Sequence, residues 1–136
     1  MITAVDTNVL LDVLLPNNAF FQRSVQALEA AAAAGGMVIC DLVYAELCAH
    51  FSTQRECDGF LAAVSIGVEA LTRTSHFAVS RAWRRYRRQG GRRTRIVPDF
   101  LIGAHAQFQA QQLLTRDRGF YRRLFPTLVL VDPSLG

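Results

Sequence analysis

The sequence predicts an α/β fold: a three-layer α/β/α sandwich around a mostly parallel five-stranded sheet, with residues 1–136 forming one domain. Three observations carry this. Short runs of β-branched and apolar residues alternate with longer stretches of helical period. The connections between them are short. Acidic residues recur just past the strand-like runs, at the edge where open α/β sheets bind their ligands.

The first strand is Met1-Ile2-Thr3-Ala4, followed by Val5-Asp6-Thr7-Asn8-Val9-Leu10-Leu11-Asp12 and an apolar run that stops at Pro16. Asp6 at that strand-to-helix junction is either a helix cap or a site residue. Past Pro16, Asn17 and Asn18, the spacing of Phe20, Phe21, Val25, Leu28 and Ala32 predicts a core-facing helix ended by Gly35-Gly36. Met37–Cys40 reads as a second strand, and Asp41 opens an apolar helix through Phe51 in which Glu46 is anomalous. A glutamate there is costly unless it faces a polar cleft, which points it toward Asp6. A helix follows over 54–65, then a weak third strand at 68–71 and a helix over 74–89 ended by Gly90-Gly91. Pro98 starts another helix and sets Asp99 in its first turn. Residues 112–115 form a fourth strand that delivers Asp117 to its end, 120–125 a short helix and 128–131 a fifth strand.

Composition narrows the chemistry. All 15 basic residues are arginine, so phosphate-binding loops and Schiff-base mechanisms that need lysine are excluded. Cys40, Cys48 and Cys57 are odd in number, lack the C-x-x-C spacing and read as small buried hydrophobes of a reducing compartment. No apolar run nears the roughly 20 residues of a membrane span, and Asp6 interrupts where a signal peptide would be apolar, so a cytoplasmic location without membrane attachment is expected. His50 and His105 lie within apolar helices as structural residues, and His76 lies on the surface.

Asp6, Glu46, Asp99 and Asp117 share one structural address. Each close carboxylate pair costs roughly 1–4 kcal/mol at surface-like dielectrics, so such a cluster implies a hard divalent cation, Mg²⁺ or Mn²⁺. A phosphatase-like hydrolase would carry a second aspartate at position 8, where this chain has Asn8.

Four blocks in this order and spacing resemble the PIN-domain nucleases, in particular the VapC-type toxins of toxin–antitoxin operons. They are Val5–Asp12, Tyr44-Ala45-Glu46-Leu47, residues 97–106 (Val-Pro-Asp-Phe-Leu-Ile-Gly-Ala-His-Ala) and residues 114–120 (Leu-Thr-Arg-Asp-Arg-Gly-Phe). The resemblance covers the whole chain. It implies a metal-dependent endoribonuclease with Asp6, Glu46, Asp99 and Asp117 as the acidic site, and Asn8 and Thr115 holding carboxylates in place. Asp6 and Asp99 would hold the metal, Asp117 would assist directly or through water, and Glu46 would position the attacking water. Gly119 stands where the family often has a further acid, which bears on a second metal ion and leaves the single-metal ligands intact.

Eight arginines between positions 81 and 95, with Trp83 and Tyr86 among them and a net charge of +4, suit an RNA backbone and stacked bases. Arg92, Arg93 and Arg95 are the candidate RNA contacts; the competing reading places the basic residues at a helix C-terminus and both aromatics in the core. The resemblance also implies a cognate antitoxin, and an arginine from that partner could pair bidentately with the site carboxylates. Phe20, Phe21, Tyr44 and Phe51 are candidate hydrophobic anchors for that partner and for an expected homodimer, the competing reading being that all four are core. The alternatives are a non-catalytic RNA-binding module of the same fold and a housekeeping RNA-processing nuclease.

Overall fold

A computed structural model describes residues 1–16 and 18–135; Asn17, between the first two predicted helices, and Gly136 lie outside them. Five strands, β1 (Thr3–Val5), β2 (Met37–Cys40), β3 (Ile66–Glu69), β4 (Gln112–Leu114) and β5 (Leu130–Val131), form one parallel sheet in the order β3-β2-β1-β4-β5. The helices are α1 (Thr7–Leu14), α2 (Phe21–Ala34), α3 (Asp41–Cys48), α4 (Gln54–Ala63), α5 (Arg73–Arg88), α6 (Pro98–Gln109) and α7 (Arg118–Leu124), with a closing 3-10 turn at Pro133–Leu135. None of them is long and apolar enough to cross a membrane.

The chain steps outward from β1 to β3 and then returns to lay β4 on the other side of β1. Right-handed crossovers therefore assign α1 to α4 to one face of the sheet and α5 to α7 to the other. Most contacts follow this division, α1 meeting α2 and α3, α3 meeting α4, and α5, α6 and α7 meeting one another, while α3 also meets α6 across it. The expected three-layer sandwich is the observed one. Reversal of winding makes β1/β4 the switch point of the sheet, where a crevice opens at the carboxyl ends of the strands. Val5 pairs with Leu114, so Asp6 and Thr115 leave neighbouring strands at the same level.

Local chemistry accounts for the element ends. Asp6 caps α1, Thr53 caps α4 through Glu56 N at 3.2 Å, and Thr72 caps α5 through Ser75 N at 3.2 Å. Gly35 ends α2 because a Cβ there would lie 1.9 Å from the Met1 carbonyl oxygen. The third strand begins at Ile66 rather than Val68. Pairing with β2 in the register Cys40 with Glu69 ends both strands at the same edge, and Ile66 supplies the buried contact. Helix α3 stops at Cys48, short of the expected Phe51, which leaves His50 exposed beyond it instead of inside an apolar helix. His105 is the buried structural residue it was expected to be, its Nε2 lying 2.9 Å from Glu69 Oε1 and tying α6 to β3.

One buried ion pair binds the switch-point loops together. Asp12, fully buried on α1, accepts Arg116 Nε at 2.7 Å and Nη2 at 2.8 Å, and the Ser24 hydroxyl at 2.8 Å. The guanidinium also stacks 4.2 Å from the Phe20 ring centroid. Removing one partner of such a pair strands the other charge. Arg116→Met, which keeps an apolar stem over Phe20, should therefore lower unfolding free energy by about 3 kcal/mol in urea melts at pH 7; a loss under about 1 kcal/mol would mean that water already solvates Asp12.

Candidate active site

Asp6 lies 5% exposed at the switch point. Its Oδ1 accepts the Thr7 backbone N–H at 2.7 Å, and its Oδ2 accepts the hydroxyls of Thr115 at 2.8 Å and Tyr121 at 3.0 Å, with Asn8 Nδ2 at 3.4 Å. The two readings of Asp6 are thus compatible, since one oxygen caps α1 and the other is held from β4, α7 and α1. Oδ2 has no acceptor capacity left, so Oδ1 alone remains available to a ligand.

Thr115 and Asn8 sit where carboxylate positioning needs them. The Thr115 hydroxyl spends its proton on Asp6 and accepts Asp117 N at 3.0 Å and Asn8 Nδ2 at 3.3 Å, which fills its valence. Asn8 Oδ1 accepts Arg116 N at 3.2 Å, joining α1 to the loop that presents Asp117. Glu46 is exposed on α3, and its Oε1 accepts the Thr7 hydroxyl at 2.8 Å. It faces the edge that Asp6 occupies. Asp99 stands half-buried in the first turn of α6, after Pro98, and Asp117 is exposed as the residue before α7.

Burial, against the opposing hydrogen bonds of Thr115, Tyr121 and Thr7, raises Asp6 from 3.8 to about 6, and the charge of Asp99 adds to the rise. Asp99 is raised by burial first and then by Asp117 and Glu46, while Arg93 pulls it down. The charges of Asp117 and Glu46 thus bear on Asp99, and that of Asp99 on Asp6. The folded state favours protonated Asp6, so that stabilisation is complete below 3.8 and is lost as pH rises through about 6. Keeping Asp6 ionised at neutral pH thus costs about 3 kcal/mol.

Among the described residues, no three His, Cys, Asp or Glu side chains converge closely enough to enclose an ion. The donors are nevertheless hard oxygens with free capacity on Asp6 Oδ1, Asp99 and Asp117. An open carboxylate set of this kind suits Mg²⁺, which keeps several waters and takes only one or two protein carboxylates beside substrate phosphate.

One site residue escaped the sequence reading. Tyr121, fully buried on α7, reaches Asp6 from 115 residues away, and nothing in its local pattern marks it. Its phenol is driven far up by burial and by Asp6 and Asp99, so it keeps its proton and donates. Trp83 and Tyr86 pack as the core reading expects: Tyr86 is buried and Trp83 partly so, the two rings stack at 5.7 Å, and both meet Phe100 edge-on at 5.5 Å. Arg92, Arg93 and Arg95 are exposed, and Arg93 alone is tied to the acids, its charge acting on Asp99 and its guanidinium lying 5.4 Å from the Phe120 ring centroid. Gly119 has open space around a Cβ, so no packing requirement explains the missing acid there.

The family model of the PIN domain matches residues 3–125. This chain belongs to the PIN domain family. No curated protein matches the sequence. Solved PIN-like folds do: VapBC2 from Rickettsia felis bound to a DNA fragment from their promoter matches with TM-score 0.74 and 22% identity over 97% of this chain and 98% of that one. A toxin–antitoxin complex from Klebsiella pneumoniae matches with TM-score 0.70 and 19% identity over 96% and 97%. VapC20 from Mycobacterium tuberculosis, a sarcin–ricin loop cleaving toxin, matches with TM-score 0.51 and 14% identity over 82% and 86%. At these identities the likeness is one of fold.

The Tyr121 hydroxyl is the testable part of this PIN-domain geometry. Tyr121→Phe keeps the ring and deletes one donor to the Asp6 carboxylate. The Asp6 midpoint in a carboxyl ¹³C NMR titration should climb above its value of about 6, with a loss of roughly 1–2 kcal/mol at pH 7; an unmoved midpoint would place the hydroxyl elsewhere.

Proposed function

We propose that this chain is a metal-dependent endoribonuclease, the toxin of a toxin–antitoxin pair, using Mg²⁺ or Mn²⁺ as cofactor. The observation that supports it most is the coupling of Asp6, Glu46 and Asp117 to Asp99 at the sheet's switch point. Retaining a carboxylate at a cost near 3 kcal/mol, when domains are stable by only about 5–15, favours a functional reason for it. The fold is shared with a solved toxin–antitoxin complex and with a toxin that cleaves the sarcin–ricin loop.

In this reading Asp99, Asp117 and the remaining lone pair of Asp6 Oδ1, which also accepts the Thr7 amide, hold the cation. A bound Mg²⁺ or Mn²⁺ supplies Lewis acidity toward a phosphoryl oxygen and acidifies water for in-line displacement. Glu46, exposed and oriented by the Thr7 hydroxyl, positions the attacking water and accepts its proton. Arg93, beside Asp99, meets the substrate phosphate, and Arg92 and Arg95 extend that basic surface along the RNA backbone. A cognate antitoxin restrains the enzyme by offering an arginine to the same carboxylates, and the active toxin is a homodimer in the cytoplasm.

Asp99→Asn tests the reading. The wild type should cut RNA in Mg²⁺ or Mn²⁺, lose activity to a chelator and arrest growth when expressed alone. The variant should retain its fold, do neither, and lose the thermal stabilisation that Mg²⁺ gives the wild type. Binding without cleavage in the wild type would indicate an RNA-binding module, and cleavage without growth arrest a housekeeping nuclease.

Replacing Arg92, Arg93 and Arg95 together should weaken RNA binding and reduce the slope of log affinity against log salt by about one unit per lost phosphate contact. An unchanged slope would make the loop a solvated surface only.

A further inference from the structure

Cys48 and Cys57 are nine positions apart, in separate helices, and the sequence treats them as unrelated apolar residues. The fold places their Sγ atoms 3.2 Å apart. We propose that they form a peroxide-oxidisable dithiol, a covalent modification site that closes into a disulfide between the end of α3 and the first turn of α4.

The corner that holds the pair is braced on both sides. Tyr44 donates its hydroxyl to Asp58 Oδ1 at 2.7 Å, again from α3 to α4, and the rings of Phe51 and Phe60 meet at 5.8 Å. These contacts register the two helices, so the sulfurs are held together before any bond forms and the closing step is intramolecular. A disulfide needs its sulfurs at about 2.05 Å, which leaves an approach of about 1 Å for side-chain rotation to supply.

The two thiols differ in a way that assigns the order of events. Cys48 is half-buried and lines an open depression of about 400 Å³ with Tyr44, Phe51, Ser52, Thr53 and Gln54, so a small oxidant reaches it. Cys57 is fully buried behind it, and burial, together with the Cys48 sulfur, pushes its thiol up to about 12. Cys48 therefore reacts first and Cys57 resolves. In the first step the Cys48 sulfur attacks one oxygen of a hydroperoxide; the O–O bond breaks, an S–O bond forms, and water or an alcohol leaves with the thiol proton. In the second, the Cys57 sulfur attacks the sulfenic sulfur, the S–O bond breaks as the S–S bond forms, and the oxygen leaves as water with the Cys57 proton. Two thiols lose two electrons in all, and the peroxide gains them. Cys40, buried at the end of β2, takes no part. The cross-link fastens the C-terminal end of the helix that carries Glu46 to α4.

Trypsin reads the outcome directly, because Arg55 lies between the two cysteines and cleavage there places them in separate peptides, Ser24–Arg55 and Glu56–Arg73. The reduced full-length protein is treated with hydrogen peroxide, alkylated and digested without reductant. Mass spectrometry should show these peptides joined, with the loss of two hydrogen atoms and separation by dithiothreitol. The link should persist in Cys40→Ser and vanish in Cys48→Ser. Chymotryptic cleavage after Tyr44 separates Cys40 from Cys48 in the wild type and assigns the bond without any variant. Separate peptides with Cys48 over-oxidised or still free, or Cys48 linked to Cys48 of a second chain, would overturn the proposal. No RNA or metal enters the experiment, so its result stands apart from the nuclease reading.

Discussion

A carboxylate held out of water where β1 meets β4 is the constraint on which the rest of the structure depends. Asp6 is buried because reversal of winding at this point leaves a crevice narrow enough for α1, α7 and the β4 loop to close around it. Once it is there, every neighbouring polar group is spent on it. Thr115 donates to it, Tyr121 reaches it from the far end of the chain, Asn8 braces it, and the first amide of α1 caps onto it. None of these donors carries a charge. Hydrogen bonds offset part of the desolvation without cancelling it, which leaves the carboxyl raised to about 6.

Asp12, six residues on along the same helix, shows the alternative. It is buried more completely than Asp6, yet Arg116 meets it with two parallel hydrogen bonds, and Ser24 adds a third. A compensated charge of that kind is structural. It ties α1 to the loop between Thr115 and Asp117, so the site's geometry is maintained by an ion pair that takes no part in its chemistry. Two buried acids thus stand in different electrostatic surroundings, decided by whether a guanidinium or a hydroxyl stands opposite.

The arginine-rich stretch divides in the same manner. Arg85, Arg87 and Arg88 occupy the last turn of α5, where the helix dipole favours them, and Arg87 shapes the following loop through the carbonyls of Gly91 and Arg93. Trp83 and Tyr86 turn inward to join Phe100, and the Tyr86 hydroxyl accepts the Arg93 N–H at 3.0 Å. Aromatic residues that composition offered as base-stacking partners serve instead to anchor the loop. Arg93 is thereby set beside Asp99, where a positive charge meets the acidic crevice.

Element order, the parallel sheet and the positions of Asp6 and Asp117 past their strands were legible in the sequence because each rests on a local rule. Hydrophobic period separates strands from helices, and an acid a few residues past a parallel strand, as Asp6 is past β1 and Asp117 past β4, lies at the carboxyl edge; Glu46 and Asp99 sit within α3 and α6, and the packing of those helices sets their approach to that edge. Strand ends were less certain: β3 moved to Ile66 because its register is set by pairing with β2, and α3 ended at Cys48 although its apolar run continues. What only the tertiary structure decided was which side chains stand opposite one another. Tyr121 finds Asp6 across 115 positions, Arg116 finds Asp12 across 104, and two cysteines nine apart come into contact, because helix docking sets those distances. Periodicity specifies the face a residue presents; the partner it meets depends on the packing of another helix, and no local pattern encodes that.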